Sequence, residues 1–302
     1  MKDKNPKVCV LMSTYNGEKY IQEQIDSILS QEGVDVKLVV RDDGSNDQTC
    51  DIIKGYKSVE LIDEDNIGCE ASFMELLHLK EQADFYAFAD QDDVWEKDKL
   101  HVAISHLDKK YPSLYACNLM LIDRDGNLHG IMLNDKKIEY TRKMMSNYIL
   151  YNMHGCVLVW NARLHSLLQE YKPKHKVAHD TWVNAVANLF GKVYLDSSPH
   201  INYRLHGNNV SGYSKTMISR FVKALKLYWG KNHRQQSIFA QELLNGYGRY
   251  IRQDDKLKLI NSISLYKSSL KCKWYLLNSG LIKSRNFVDR CFWILTIIMN
   301  KY

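Results

Sequence analysis

Short apolar runs alternate with stretches of helical periodicity through residues 7–89, and this alternation constrains the fold more than any other feature of the chain. Strand patterns are read at 7–13, 36–41, 59–62 and 84–89. Between them, 17–31, 49–56 and 71–80 repeat their apolar residues at helical spacing, most clearly through Tyr20, Ile21, Ile25, Ile28 and Leu29. Repeated β-α-β units with nearly continuous apolar strands predict an α/β fold, a mostly parallel sheet flanked by helices. Ligands of such sheets bind beyond the carboxyl ends of the strands, so the polar residues after each strand are where chemistry is expected.

Two nucleotide-binding fingerprints are absent. No GxGxxG follows the first strand and no GxxxxGK[ST] occurs, which argues against an NAD enzyme and a P-loop NTPase. At 302 residues, with 45% apolar and 25% charged residues, the chain suits one large domain, or one domain with a smaller appendage. Seven scattered cysteines without a CxxC pair suggest neither a disulfide framework nor a zinc site. The apolar run at 8–12 is too short for a secretory leader and reads as a first strand; a cytoplasmic setting is expected.

The strand ends are strongly acidic. The first is followed by Ser13-Thr14-Tyr15-Asn16-Gly17, the second by Arg41-Asp42-Asp43-Gly44-Ser45-Asn46-Asp47, and the fourth by Asp90-Gln91-Asp92-Asp93-Val94-Trp95. Aspartates gathered where a phosphate ligand should bind conflict electrostatically unless a cation lies between them. Carboxylates hold Mg²⁺ or Mn²⁺, and the ion bridges to phosphate oxygens. Asp90 and Asp92, two residues apart, should project to the same side. Residues 42–45 taken alone also suit a plain turn before a helix cap, whereas three carboxylates in four residues suit no simple turn.

Further along, 155–160 reads as another buried strand and 162–169 as a helix. Asp180 precedes a helix pattern through Trp182, Val183, Val186, Leu189 and Phe190, where it serves either as the helix N-cap or as a base. His179 is a second candidate base. Arg204 has the charge to hold a diphosphate, and His206 the imidazole to complete a Mn²⁺ shell. Trp95 fits a core position as well as the wall of a sugar pocket, and Asp93 and Trp182 are grouped with it as pocket candidates.

The series STYNGEKYIQEQIDSILSQ, VVRDDGSNDQT, NIG and FADQDDVW resembles the family 2 glycosyltransferases of the GT-A fold over roughly residues 6–215. The variant DQDDVW, with HDTW and YRLHGNNVSG, is similar to the rhamnosyltransferase-like branch, which builds capsular, O-antigen and cell-wall rhamnan polysaccharides. The resemblance implies an inverting transfer from a nucleotide-diphosphate sugar, with L-rhamnose from dTDP-L-rhamnose the leading donor. Its rivals are UDP-hexose, UDP-N-acetylhexosamine and galactofuranose donors. It also implies nucleotide-sugar contacts from Thr14, Tyr15, Asn16, Asp42, Asp43, Asp90 and Gln91. In its DxD motif the second acid, Asp92, is the metal ligand, and Asp180 matches the catalytic acid position.

Charge divides the chain near residue 215. Residues 1–215 carry 25 Lys/Arg against 31 Asp/Glu, and residues 216–302 carry 16 against 4. Two regions are expected: a GT-A domain at 1–215 and a basic, mainly helical extension at 216–302. Ile218, Phe221, Val222, Leu225 and Trp229 fall at helical spacing beside Arg220, Lys223 and Lys226, a pattern that suits either an anionic membrane surface or packing on the domain. The apolar run at 291–299 is too short to span a bilayer. Residues 207–214 suit a lid over the donor. A saccharide or lipid-linked saccharide acceptor would be met at the inner face of the membrane. A nucleotidyltransferase would need a basic triphosphate loop after the first strand, and a nucleic-acid module is disfavoured by the acidic first region and the lack of a recognised motif.

Overall fold

The computed structural model describes residues 4–133, 153–206, 236–279 and 287–300. The segments expected to form a lid (207–214) and a basic amphipathic helix (217–229) lie outside them. Two compact units result: Met1–Lys172 with Lys176–His206, and Pro173–His175 with Gly207–Tyr302.

The first unit opens with β1 (Lys7–Thr14), α1 (Ile21–Leu29), β2 (Asp35–Asp43), α2 (Thr49–Lys54), β3 (Val59–Glu64), α3 (Cys69–Leu77) and β4 (Phe85–Ala89). After β4 come β5 (Val94–Trp95), α4 (Lys99–His106), β6 (Ser113–Ile122), β7 (Leu128–Ile131), β8 (Leu158–Asn161), α5 (Ala162–Gln169), α6 (His179–Phe190) and β9 (Lys192–Arg204). Among the described residues the strands form one sheet in the order β3-β2-β1-β4-β8-β6-β9-β5, with β7 on β6. The first four strands are parallel, with Thr14 opposite Asp42 and Met12 opposite Ala89. Their carboxyl ends therefore open on one edge.

The sheet is nevertheless mixed. β8 runs antiparallel to both β4 and β6, and β5 antiparallel to β9. The strand expected at 155–160 is reduced to 158–161, because Gly155–Val157 form a 3₁₀ turn. Apolar runs report burial and are silent on strand direction, so the pattern could not give this.

Burial follows the patterns. α1 turns Ile21, Ile25 and Ile28 onto the sheet, and α6 turns in Trp182, Val183 and Val186, all fully buried. Each such side chain contributes about 1.5–3 kcal/mol of transfer free energy. Gly191 ends α6 because a Cβ there would meet the Pro112 carbonyl at 2.1 Å. That close approach lets Lys192 N donate to the same carbonyl at 2.9 Å, which starts β9 alongside β6.

In the second unit lie α7 (Gln236–Tyr247), α8 (Asp254–Leu265), α9 (Leu270–Asn278) and α10 (Phe287–Ile298). Its core holds Phe239, Leu243, Tyr247, Ile260, Ile263, Tyr266 and Leu276. Buried Glu242 accepts from the Lys174 amide and pairs with His175, tying 173–175 to α7. No helix among the described residues is long and apolar enough to cross a membrane.

Candidate active site

The loops after β1, β2 and β4 are braced against one another. Gln91 Oε1 accepts from the Thr14 hydroxyl at 2.6 Å and the Tyr15 amide at 2.8 Å, while Gln91 Nε2 donates to the Tyr15 carbonyl at 3.2 Å. Gly17 leaves room for that clamp, since a Cβ there would stand 2.5 Å from Gln91 Oε1. Asn16 takes a left-handed φ of 48°, which Asn tolerates. Its amide donates to Ser45 Oγ at 2.8 Å, and its Oδ1 accepts from the Asn46 amide at 2.9 Å.

Asp42 is buried and accepts from both the amide and the hydroxyl of Ser45. Buried Asp43 accepts from Arg41 at 2.6 Å and from the amides of Ile67 and Gly68 at 2.9 and 2.8 Å. Thr14 and Gln91 thus join the loops after β1 and β4, Asp43 joins those after β2 and β3, Asp42 braces its own loop, and only Tyr15 and Asn16 of this group stay exposed.

At the β4 end, Asp92 Oδ2 lies 2.6 Å from His206 Nε2, although 114 residues separate them in sequence. Both side chains remain slightly open, 14% and 12% exposed. Tyr20, just before α1, stacks on the His206 ring at 5.3 Å and carries the Arg204 guanidinium over its face at 4.7 Å.

Half-buried Asp90 has its carboxyl pushed up to about 7, by burial first, then by the charge of Asp92, with Asp180 adding to the repulsion. Asp180 stands in the first turn of α6, where its Oδ1 accepts from the Thr181 amide at 2.5 Å and hydroxyl at 3.1 Å. Ala178 is the N-cap of this helix, so the plain-cap alternative for Asp180 is overturned. A carboxylate in the first turn is favoured by the helix dipole.

Asp92 and Asp180 stand close enough to Asp90 to raise its proton affinity, and a divalent cation held here would relieve that repulsion. The converging oxygen of Asp92 and nitrogen of His206 form a donor pair that suits Mn²⁺, so these residues fit the divalent metal that the family resemblance implies.

Other residues expected in the site face inward. Asp93 is 1% exposed; its Oδ1 accepts from the Arg204 amide at 3.2 Å, and the Cys156 thiol lies beside its carboxyl. Burial, then the charges of Asp92 and Asp90, hold this carboxyl far above the usual range. Trp95 and Trp182 are core residues rather than walls of a sugar pocket. His179 is buried, stacked on Phe73 at 4.1 Å, and pushed down to about 3 by that burial. A neutral, enclosed ring is not positioned to take a proton from an acceptor, which corrects its candidacy as a base.

Arg204 also differs from expectation. Its guanidinium is buried and donates to the Asp92 carbonyl at 3.1 Å, the Arg124 carbonyl at 3.2 Å and Glu23 at 2.5 Å. With all three nitrogens engaged it secures the backbone of Asp92 instead of reaching out to a diphosphate.

Sequence reasoning passed over three participants: Tyr20, Glu23 and Lys99. Lys99 is fully buried, donates from Nζ to the Cys156 carbonyl at 2.9 Å and stands 3.1 Å over the Trp95 ring. Burial pulls it down to about 8, against the opposing pull of Asp93 and Asp90. The signal was present: Lys99 shares the inward stripe of α4 with Leu100 and Ala103, where a lysine needs a partner.

Known proteins resemble this chain in sequence and in fold. The family model described as glycosyl transferase family 2 matches residues 9–172. The dTDP-rhamnosyl transferase RfbG of Shigella flexneri is 28% identical over 241 residues, covering 74% of this chain and 81% of its own. Among solved structures, S. aureus TarS 1–349 in complex with UDP-GlcNAc superposes with a TM-score of 0.60 at 19% identity, over 98% of this chain and 82% of its own. The mannosyltransferase PcManGT of Pyrobaculum calidifontis, in complex with GDP-Man and Mn²⁺, does so at 0.50 and 16% identity, over 98% and 86%. At those identities the structures speak for the fold alone. With the family model over more than half the chain, and acids gathered at the strand ends of a GT-A sheet, the chain belongs to glycosyl transferase family 2 and is a glycosyltransferase.

Proposed function

We propose that the chain is a metal-dependent inverting transferase that moves L-rhamnose from dTDP-L-rhamnose onto a growing cell-surface polysaccharide or its lipid-linked precursor. The observation that carries the reading is the meeting of Asp92 with His206 beside Asp90 and Asp180. Asp92 and His206 would hold Mn²⁺ or Mg²⁺, which when bound neutralises the charge of the departing nucleoside diphosphate. Asp180 takes the proton from the acceptor hydroxyl as that oxygen attacks the anomeric carbon. Asp90 contacts the donor sugar, and Arg204, through the Asp92 carbonyl, keeps the acidic loop in place. Tyr15 and Asn16 contact the nucleotide, while the buried acids Asp42 and Asp43 set the loops that receive base and ribose. One displacement suffices, so no nucleophile is assigned.

The likeness to RfbG supports rhamnose as the donor sugar. A lipid-linked acceptor would give the chain reason to work in the cytoplasm at the inner face of the membrane. The test is purified full-length chain with dTDP-rhamnose, UDP-glucose, UDP-GlcNAc or UDP-galactofuranose, each with Mn²⁺, Mg²⁺ or EDTA. Metal-dependent turnover of dTDP-rhamnose that disappears in Asp92→Ala supports the proposal. Turnover of a UDP-sugar alone keeps the mechanism and overturns the rhamnose assignment.

A further inference from the structure

The second unit carries a surface that its own packing leaves unused. α9 turns Leu276 into the core but leaves Leu270 84% and Trp274 70% exposed, four residues apart on one face. α10 repeats the arrangement, with Ile297 buried and Leu295, Ile298 and Met299 about half exposed. The two helices pack together, and Lys273 Nζ donates to the Ile298 carbonyl at 3.4 Å, which brings the end of α10 to the turn that bears Trp274. A single exposed leucine is ordinary. Five large apolar side chains on two adjoining helices, one of them tryptophan, are characteristic of an interaction surface.

Charge indicates the occupant. Residues 256–302 hold nine Lys/Arg and one acid. Exposed Lys271 lies three residues before Trp274 on α9, and exposed Lys267 stands in the turn just before that helix. A core-forming protein partner would call for apolar residues without exposed cations beside them. A nucleic acid would call for a cationic groove, where aliphatic side chains that protrude are of no use. Protruding Trp and Leu with exposed lysines beside them match a bilayer interface, where indole and aliphatic groups enter the boundary between headgroups and acyl chains and ammonium groups remain at the phosphates.

We propose that the exposed faces of α9 and α10 dock on an anionic bilayer, inserting Leu270, Trp274, Leu295 and Ile298 while Lys267 and Lys271 pair with lipid phosphates. This surface is formed by residues other than those of the amphipathic pattern at 217–229, and it does not depend on the donor or on the transfer reaction.

The experiment floats the full chain, without donor, on phosphatidylcholine vesicles with and without about one third phosphatidylglycerol, at low salt and at about 0.15 M. The chain should bind the anionic vesicles, with a blue shift of tryptophan emission, and bind neutral ones at least about tenfold more weakly. Leu270→Ser with Trp274→Ser should lower partitioning about tenfold or more and remove the shift. Lys267→Gln with Lys271→Gln should lower it on the order of tenfold while any residual binding keeps the shift. All four positions are exposed, so far-UV circular dichroism and donor binding should match the parent, which separates a docking result from a transfer result. Equal vesicle binding by the parent and the Leu270/Trp274 variant would overturn the proposal. So would absence of flotation at low salt, or loss of a dimer in that variant with vesicle binding unchanged, which assigns the face to a second copy.

Discussion

Asp92 and Asp93 are neighbours in sequence and opposites in the structure. Asp92 turns outward to His206 and stays in reach of solvent, whereas Asp93 turns inward, 1% exposed, over Cys156 and toward the Lys99 charge. The chain bends at Gln91 and Asp92 between β4 and β5, so one acidic run supplies two different environments. The outward carboxylate is available to a cation and a diphosphate. The inward one is a desolvated group that the fold must keep neutral or neutralise. An acidic motif is therefore not a uniform set of ligands, and the two faces should fail in different ways when mutated.

The outward face should fail in chemistry. Asp92→Ala removes the carboxylate that faces His206 and relieves repulsion on Asp90, so the expected loss is on the order of 10²–10³-fold in kcat. Stability should be unchanged or slightly higher, as read by thermal unfolding. A variant that retains turnover but unfolds early would erase the distinction between the two faces.

The inward face should fail in stability. Lys99→Met deletes the bond to the Cys156 carbonyl and the cation over Trp95, and removes a buried positive charge that acts on Asp90. A cost of about 3 kcal/mol in urea unfolding is expected. The pH dependence carries its own sign. Folded Lys99 releases its proton near 8, whereas the unfolded chain holds it to an ordinary lysine value of 10.5. The unfolded state therefore binds more protons between those values, and the Lys99 contribution to stability rises with pH across that window. Buried cysteines and tyrosines titrate nearby, so the readout is the difference between the two chains: the deficit of Lys99→Met should widen from pH 7.5 to pH 9.5, and a constant deficit would sink the assignment.

A milder probe addresses the clamp that holds the outward face. Gly17→Ala places a Cβ 2.5 Å from Gln91 Oε1, and only the tip of that side chain has to move. The Thr14 and Tyr15 bonds would be exchanged for strain, at a cost of about 1 kcal/mol. Steady-state kinetics should register this as a several-fold rise in donor KM, with kcat nearly preserved. An equal fall in kcat would instead link the clamp to the chemical step.

How legible was this in the sequence? The helix read at 162–169 appears with those same bounds, and the first four strands appear within two residues at most ends. Both were local periodicities. What escaped depends on distant pairing. The meeting of Arg204 with Glu23 spans 181 residues, and α1 shows Glu23 only as one polar position among several. β9 runs for thirteen residues through Pro199 because its register against β6 shifts twice, which no single-strand pattern contains. The inward turn of His179 and Trp182 was misread for a related reason, and of the two places left open for Trp95 the structure shows the core. Their closeness to acidic motifs suggested a pocket, while their place on the buried side of β5 and α6 made them core. Lys99 was legible and overlooked.

The smallest expected effect gives the finest test of the comparison. Asp93→Asn keeps an oxygen to accept from the Arg204 amide and sets an NH₂ in place of the other carboxyl oxygen, beside the Cys156 thiol. If burial already keeps this carboxyl protonated near neutrality, the change costs within about 1 kcal/mol and leaves kcat nearly intact. The sign again follows from linkage. The folded carboxyl titrates well above the unfolded value of 3.8, so the native state holds the extra proton as pH rises. The Asp93 contribution is fully present below that value and is lost as pH climbs through and beyond it. Relative to Asp93→Asn, the parent should therefore lose stability between pH 4 and neutrality, which urea midpoints at the two pH values would register. The opposite trend, with the variant losing ground as pH rises, would mean that Asp93 is ionised and paired with Lys99. The inner face would then be an ion pair, and the steep Lys99→Met deficit would have to be reassigned to that pair.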